Sequence, residues 1–172
     1  MSLRLSLPVH PSRSASLVLA VALAAALWPG RSAAAVSPFR PFIGNWTGGG
    51  QVIGSNGNRE RIRCRANYGE AQQGVALSQT IVCASPSYRI DIQSYAQALG
   101  TTVQGTWREG TRNISGQLTG TLEGGQFRGS VVGPGFTAGI SLSSNGRHQE
   151  VTIQPSPGGD IAAVRIELER RG

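Results

Sequence analysis

Lysine is absent from the 172-residue chain, and charged residues of all kinds make up only 15% of it. Aromatic residues are also scarce, at 6%. The chain is nevertheless not an acidic disordered polymer, because hydrophobic residues reach 39% and the formal net charge is +7. A helical bundle is disfavoured as well, since 24 glycines would destabilise helices at nearly every turn. The length indicates one domain, two at most.

The first 35 residues have the pattern of a secretory signal peptide. Basic residues precede an uninterrupted apolar run at 15–27, and three alanines at 33–35 offer a cleavage site. The run is too short to span a bilayer comfortably, although an uncleaved anchor is the alternative. No later stretch is apolar enough to cross a membrane as a helix. We therefore predict a signal peptide at 1–35 and a mature domain at 36–172, which is periplasmic or secreted and not transmembrane.

Only two cysteines are present, Cys64 and Cys83, and both lie in the predicted mature domain. An even number of cysteines in an exported protein is typical of a disulfide framework. A turn candidate at 70–74 separates them, and antiparallel pairing around it places Cys64 opposite Cys83. The sequence therefore predicts one disulfide across a hairpin. We expect no metal site, because two thiols without nearby histidines make a poor ligand set.

Short runs of alternating apolar and polar residues recur through the mature domain between Gly, Asn, Ser and Pro clusters. This pattern is typical of an all-β barrel or sandwich. Val164, Ile166 and Leu168 alternate with charged residues, which indicates one buried and one solvated face. The best helical candidate is short, at 96–99, and a loop fits it equally well. The predicted strands cover 46–53, 59–68, 75–84, 88–94, 103–109, 114–122, 127–132, 136–143, 150–154 and 162–169.

Glycines recur on the predicted inward faces of these strands. Gly116 and Gly120, for example, share a face with Ile114, Leu118 and Leu122. An inward glycine can mark a bend that lets a sheet close into a barrel. It can equally leave volume inside a barrel of about ten strands. The two interpretations are compatible, and both stay open at this point.

The first predicted strand opens with Gly44-Asn45-Trp46 inside the segment 42–50. This segment resembles the Gly-x-Trp start of calycin barrels, which include lipocalins, fatty-acid-binding proteins and nitrobindin-like barrels. The resemblance implies a single antiparallel barrel, here of about 8–10 strands. It also implies a small apolar or amphipathic ligand in the interior. The stretch 64–88 is similar to small uncharacterised exported proteins of Gram-negative bacteria.

The calycin resemblance has consequences for two residue types. In lipocalins an arginine near the C-terminus covers the tryptophan, a role that Arg165, Arg170 or Arg171 could take here. Nitrobindin-like proteins ligate heme through a histidine, whereas the only histidine after residue 35 is His148, in a predicted turn region. We therefore expect no heme and no other cofactor.

Aromatic residues are the candidates for contacting an interior ligand. We predict that Trp46, Trp107, Phe127 and Phe136 line a pocket, the alternative being that they are ordinary core. A carrier of this kind calls for a cavity of about 300 Å³ or more. Binding of a small ligand in that cavity is the first functional hypothesis.

A second hypothesis rests on Arg59, Arg61, Arg63 and Arg65, which alternate along one predicted strand and so share a face. Guanidinium groups about 7 Å apart would form a positive ridge suited to phosphate or carboxylate groups. Envelope lipids or acidic glycans are the expected partners, and nucleic acid is not expected after export. The alternative is a solvated outer face that protects an edge strand from aggregation.

Catalytic machinery is not evident in the sequence, and we predict a non-enzymatic protein without catalytic residues. His148 has no Gly-x-Ser-x-Gly nucleophile elbow to serve. Asp91 and Glu109 are the best candidates for a carboxylate pair. The alternation of its strand, however, places Asp91 on a polar face.

Overall fold

The computed structural model describes residues 36–172, so the predicted signal peptide at 1–35 lies outside the described residues. The described chain forms the strands β1 Gly44–Gly54, β2 Arg59–Ala71, β3 Ala76–Ala84, β4 Arg89–Leu99, β5 Thr102–Glu109, β6 Ile114–Glu123, β7 Gln126–Gly133, β8 Phe136–Ser144, β9 His148–Pro155 and β10 Ile161–Arg170. Each strand pairs antiparallel with its chain neighbours, and β10 pairs with β1 to close one barrel. The predicted all-β barrel and its strands are confirmed.

The hairpin of β2 and β3 carries the predicted disulfide. A 3₁₀ turn at Gln72–Gly74 joins the two strands, and Cys64 lies directly opposite Cys83. The two sulfur atoms are bonded. This confirms both the pairing and its register. A disulfide of this kind is typical of proteins outside the reducing cytosol.

The segment 96–99, expected to be helical or a loop, belongs to strand β4 instead. Ala96 and Ala98 point into the barrel while Gln97 and Leu99 point outward, and all four pair with β5. This period of two is the period of a strand, and pairing on both sides of β4 outweighs the helical preference of alanine and leucine. Among residues 36–172, no helix is long and apolar enough to span a membrane.

The inward glycines of the barrel lie where neighbouring strands approach each other most closely. A Cβ atom on Gly50 would lie 1.9 Å from the carbonyl oxygen of Arg165, and one on Gly116 would lie 1.8 Å from that of Val132. Gly105 has a similar contact, 2.2 Å from the carbonyl of Tyr95. No side chain fits at such distances. These glycines therefore permit neighbouring strands to approach closely, as the first of the two interpretations requires, and the bend itself stays a prediction.

Alanine substitutions at Gly50 and at Gly139 should separate close approach from ordinary strand propensity. Gly139 lies on the exposed face of β8, and a Cβ there would meet only the carbonyl of Gln154 at 4.0 Å. We expect Gly50→Ala to lower the free energy of unfolding by about 2–3 kcal/mol, because β10 must move away. Gly139→Ala should change it by less than about 1 kcal/mol. Urea titrations measure both, and equal effects would contradict the close-approach interpretation.

Candidate functional site

The segment that precedes β1 closes one end of the barrel. Phe39 and Phe42 are buried and belong to the core. The Ser144 hydroxyl, at the end of β8, donates a hydrogen bond of 2.7 Å to the carbonyl of Pro41. We call residues 37–43 the plug. Phe39 and Phe42 form the inner surface of the plug and contact the barrel cavity.

Trp46 and Arg170 fasten the plug. The indole Nε1 of Trp46 donates a hydrogen bond of 2.7 Å to the carbonyl of Phe42. The Arg170 guanidinium lies 5.0 Å from the centre of the Trp46 rings, and its Nη2 donates to the carbonyl of Pro41 at 3.2 Å. A cation–π contact of this kind stabilises by about 1 kcal/mol. Of the three candidate arginines, Arg170 is the one that covers the tryptophan.

A cavity of about 180 Å³ lies inside the barrel. Its walls are apolar except for Tyr68, Gln79 and Ser94. The apolar lining side chains are Phe39, Phe42, Leu77, Ile81, Cys83, Ile90, Ile92, Ala96, Val103, Trp107, Leu118, Leu122, Phe127, Val131, Phe136, Ile140, Leu142, Val151, Ile153, Val164 and Ile166. The volume falls short of the 300 Å³ expected, so the cavity suits a smaller molecule.

Three of the four aromatic residues singled out from the sequence line this cavity. Trp107 and Phe136 make an edge-to-face contact, with ring centres 6.0 Å apart, at the barrel end opposite the plug. The Phe127 ring lies over the inward glycines of β6 and β7, and there it occupies part of the interior. Trp46 is not among the lining residues, because its hydrogen bond to Phe42 holds it at the plug.

A chain of hydrogen bonds crosses the interior. The Ser94 hydroxyl donates to Oε1 of Gln79 at 2.6 Å, and Nε2 of Gln79 donates to the Tyr68 oxygen at 3.5 Å. The Tyr68 hydroxyl donates in turn to Oε1 of Gln149 at 3.0 Å. Burial raises the pKa of the Tyr68 phenol, and the hydrogen bond to Gln149 acts in the opposite direction. The phenol therefore stays protonated and acts as a donor.

Gln149 is fully buried, and its Nε2 has no hydrogen-bond partner among residues 36–172. Sequence reasoning missed Tyr68, Gln79, Ser94 and Gln149. The signal was there in part, because Gln79 stands between Leu77 and Ile81 on an otherwise apolar alternating face. A polar residue at such a position is usually hydrogen-bonded, and in a barrel it points to the interior.

Glu109 is a buried carboxylate at the barrel end opposite the plug, and its own loop satisfies it. It accepts hydrogen bonds from the hydroxyl and amide of Thr111 and from the amides of Asp91 and Arg112. Burial acts to raise the pKa of the Glu109 carboxyl, but these hydrogen bonds outweigh it and lower the pKa to about 2. Glu109 is thus ionised and anchors the β5–β6 loop, while the Asp91 side chain lies on the outer face.

His148 also lies outside the cavity. Its Nδ1 is 2.8 Å from Glu169, and its Nε2 is 3.6 Å from Glu150, on the outer face of β9 and β10. The hydrogen bond to Glu169 raises the pKa of the imidazole. Because His148 is the only histidine after residue 35, no histidine of the described chain faces the interior.

The four arginines of β2 form the predicted ridge on the outer surface. Arg59, Arg61, Arg63 and Arg65 are exposed; the half-buried Glu60 separates the first two, and the buried Ile62 and Cys64 separate the others. None of them forms an ion pair within residues 36–172. Protection of a sheet edge does not explain Arg63 and Arg65, which lie between β1 and β3, whereas Arg59 and Arg61 pair with β1 alone and extend past the end of β3. We call these residues the arginine ridge.

Comparison with solved structures agrees with this architecture. Rv2717c from M. tuberculosis has a TM-score of 0.62 at 12% identity, over 77% of this chain and 94% of that one. The S-type phycobiliprotein lyase CPES from Guillardia theta has a TM-score of 0.54 at 8% identity, over 78% and 90%. The sequence matches no protein-family model and no curated protein. These likenesses and the ten-strand barrel fit a calycin-like fold.

The lowered pKa of Glu109 makes its contribution to stability depend on pH. Since the folded-state pKa of about 2 lies below the ordinary 4.5, the contribution is present above about pH 4.5 and is lost as the pH falls toward 2. We expect Glu109→Gln to lower the free energy of unfolding by roughly 2 kcal/mol at pH 7 and by much less at pH 2. The exposed Glu123→Gln is the control in urea titrations. Equal losses at both pH values would contradict this account.

Proposed function

We propose that the mature chain is an exported, non-enzymatic barrel that binds a small apolar or amphipathic ligand in its interior. The cavity carries this proposal, since it holds about 180 Å³ and all but three of its lining residues are apolar. The calycin-like fold supports an interior site. The disulfide supports export, because such bonds persist in oxidising compartments. Likeness to a lyase at 8% identity is likeness of fold, and no lyase activity is proposed.

The size and chemistry of the cavity limit the ligand. An apolar cavity of this size is poorly hydrated and takes up an apolar molecule of matching shape. A ligand that buries about 200 Å² of apolar surface gains roughly 5 kcal/mol from the hydrophobic effect. Association costs reduce this figure, so we expect dissociation constants in the millimolar range. Trp107, Phe127 and Phe136 are the aromatic side chains in position to contact the ligand.

Partial filling of the cavity tests the proposal. Ala96 lines the cavity from β4, whereas Ala84 lies exposed at the end of β3. We expect Ala96→Leu to weaken binding of the fluorescent probe 2-ethylnaphthalene at least about tenfold, because three added carbons occupy its space. Ala84→Leu should bind the probe like the unmodified protein. Fluorescence titration measures both, and unchanged affinity of a folded Ala96→Leu variant would contradict interior binding.

The arginine ridge supports a second candidate function, docking on an anionic envelope lipid or glycan without an internal ligand. Its four guanidinium groups project from one strand of a closed barrel, and none is neutralised by a carboxylate of the described chain. Gly49, on β1 opposite Arg63, leaves the ridge open on that side. An arginine near an anionic membrane contributes about 1 kcal/mol.

Substitution of three ridge arginines tests docking. We expect Arg61→Gln, Arg63→Gln and Arg65→Gln together to weaken binding to phosphatidylglycerol vesicles by about 100-fold. Added salt should weaken binding by the unmodified protein as well. The control carries Arg108→Gln, Arg128→Gln and Arg147→Gln, which remove the same charge from other exposed positions.

Vesicle co-sedimentation measures both triple variants, and lipopolysaccharide in place of vesicles distinguishes a glycan-bearing target. Equal loss in the two triple variants would show that net charge, not the ridge, determines binding. No binding to either target would remove docking from consideration.

A further inference from the structure

We propose that the interior ligand carries one uncharged hydrogen-bond acceptor, such as the carbonyl of a ketone, ester or amide, which Gln79 receives beside Tyr68 and Ser94. This inference rests on the proposed interior binding and specifies the chemistry of the ligand. Within the part of the chain that the structure describes, these three are the only polar side chains that line an otherwise apolar cavity.

The register of three adjacent strands places the three side chains next to one another. Tyr68 on β2 lies opposite Gln79 on β3, and Gln79 lies opposite Ser94 on β4. All three point inward and share one row across three strands. Leu77 and Ile81, on either side of Gln79 along β3, and Ala96, next to Ser94 along β4, are apolar. The row is therefore a polar strip of one residue from each of three strands, on an otherwise apolar wall.

The hydrogen bonds within this strip leave one N–H group of Gln79 for a ligand. The hydroxyl groups of Ser94 and Tyr68 each give their hydrogen to a glutamine carbonyl. An amide carries two N–H groups, and Gln79 uses one of them in a long 3.5 Å contact with Tyr68. The amide nitrogen of Gln149, whose Oε1 accepts from Tyr68, also has no partner among residues 36–172, but Gln149 does not line the cavity. A strip with a spare N–H group suits a ligand that brings an acceptor.

The acceptor must be uncharged. No arginine or histidine of residues 36–172 lines the cavity, so a carboxylate there would have no counter-ion among them. Burying such an unpaired charge costs several kcal/mol. A carbonyl oxygen, in contrast, can take an N–H of Gln79 without a compensating cation. The hydrogen bond to that N–H is what a carbonyl ligand gains over a hydrocarbon of the same shape.

A matched ligand series in calorimetric titrations tests the inference on the unmodified mature protein. The probes are 2-acetylnaphthalene, 2-ethylnaphthalene and 2-naphthoate, which share one apolar body and differ in the attached group. We expect the ketone to bind about tenfold more tightly than the hydrocarbon, the value of one good hydrogen bond. The ionised carboxylate should bind more weakly than either.

Variants identify the residue responsible. Gln79→Met removes the amide and keeps the length of the side chain, so ketone affinity should fall to that of the hydrocarbon, while hydrocarbon affinity stays the same or rises. Gln93→Met makes the same change on the exposed face of β4 and should leave the series unaltered. If Gln79→Met does not fold, the ligand series on the unmodified protein still decides.

The outcomes separate this inference from the proposed function. Equal affinity for ketone and hydrocarbon, or tightest binding of the carboxylate, would overturn the carbonyl preference while interior binding stands. Failure of all three probes to bind would overturn both. A ketone preference that Gln79→Met abolishes and Gln93→Met retains would establish Gln79 as the residue that selects the ligand.

Discussion

The pairing of β1 with β10 turns an open sheet into a barrel, and it requires two backbones to come closer than side chains allow. Gly48 and Gly50 face β10 at this seam, and a Cβ on either would lie within 2.0 Å of a β10 carbonyl oxygen. Closure leaves no sheet edge in the barrel, which removes the usual route to strand-mediated aggregation. Closure also encloses the barrel interior, and the cavity depends on the pairing of β1 with β10.

Residues of the β1–β10 pair also bind the plug. Trp46 precedes the seam glycine Gly48 by two residues on β1, and Arg170 lies opposite Trp46 at the end of β10. The tryptophan binds the plug backbone through its indole N–H, and the arginine binds it from above the ring. Closing the barrel and capping one end are thus consequences of the same strand pair. Aromatic rings line the cavity at both ends, Phe39 and Phe42 at the plug and Trp107 with Phe136 at the opposite end.

Much of this fold follows from local sequence. A period of two, interrupted by turn residues, predicts all ten strands because each strand has one apolar and one polar face. The disulfide follows from a register that one hairpin sets. The prediction of a helix or loop at 96–99 was wrong. Its alanines fit the period of a helix as well as that of a strand, and only the pairing with β3 and β5 decides between the two.

The interior is harder to predict, because it depends on distances between strands far apart in sequence. Whether Gly116 bends the sheet or leaves volume depends on how near Val132 comes. Tyr68 and Gln149 are 81 residues apart in the sequence, and no local pattern links their side chains. Trp46 looks like a pocket residue from sequence, and only its hydrogen bond to Phe42 shows that it serves the plug. The cavity is smaller than the sequence led us to expect for a similar reason. The Phe127 ring lies against the inward glycines Gly120 and Gly129 and fills space there.

A crystal structure of the mature protein under xenon pressure tests the central claim most directly. Xenon enters apolar cavities without needing polar partners, and its electron density is unmistakable. The account predicts a xenon atom inside the barrel, between the plug phenylalanines and the Trp107–Phe136 pair. A barrel interior filled by side chains, with xenon bound only at the surface, would contradict it.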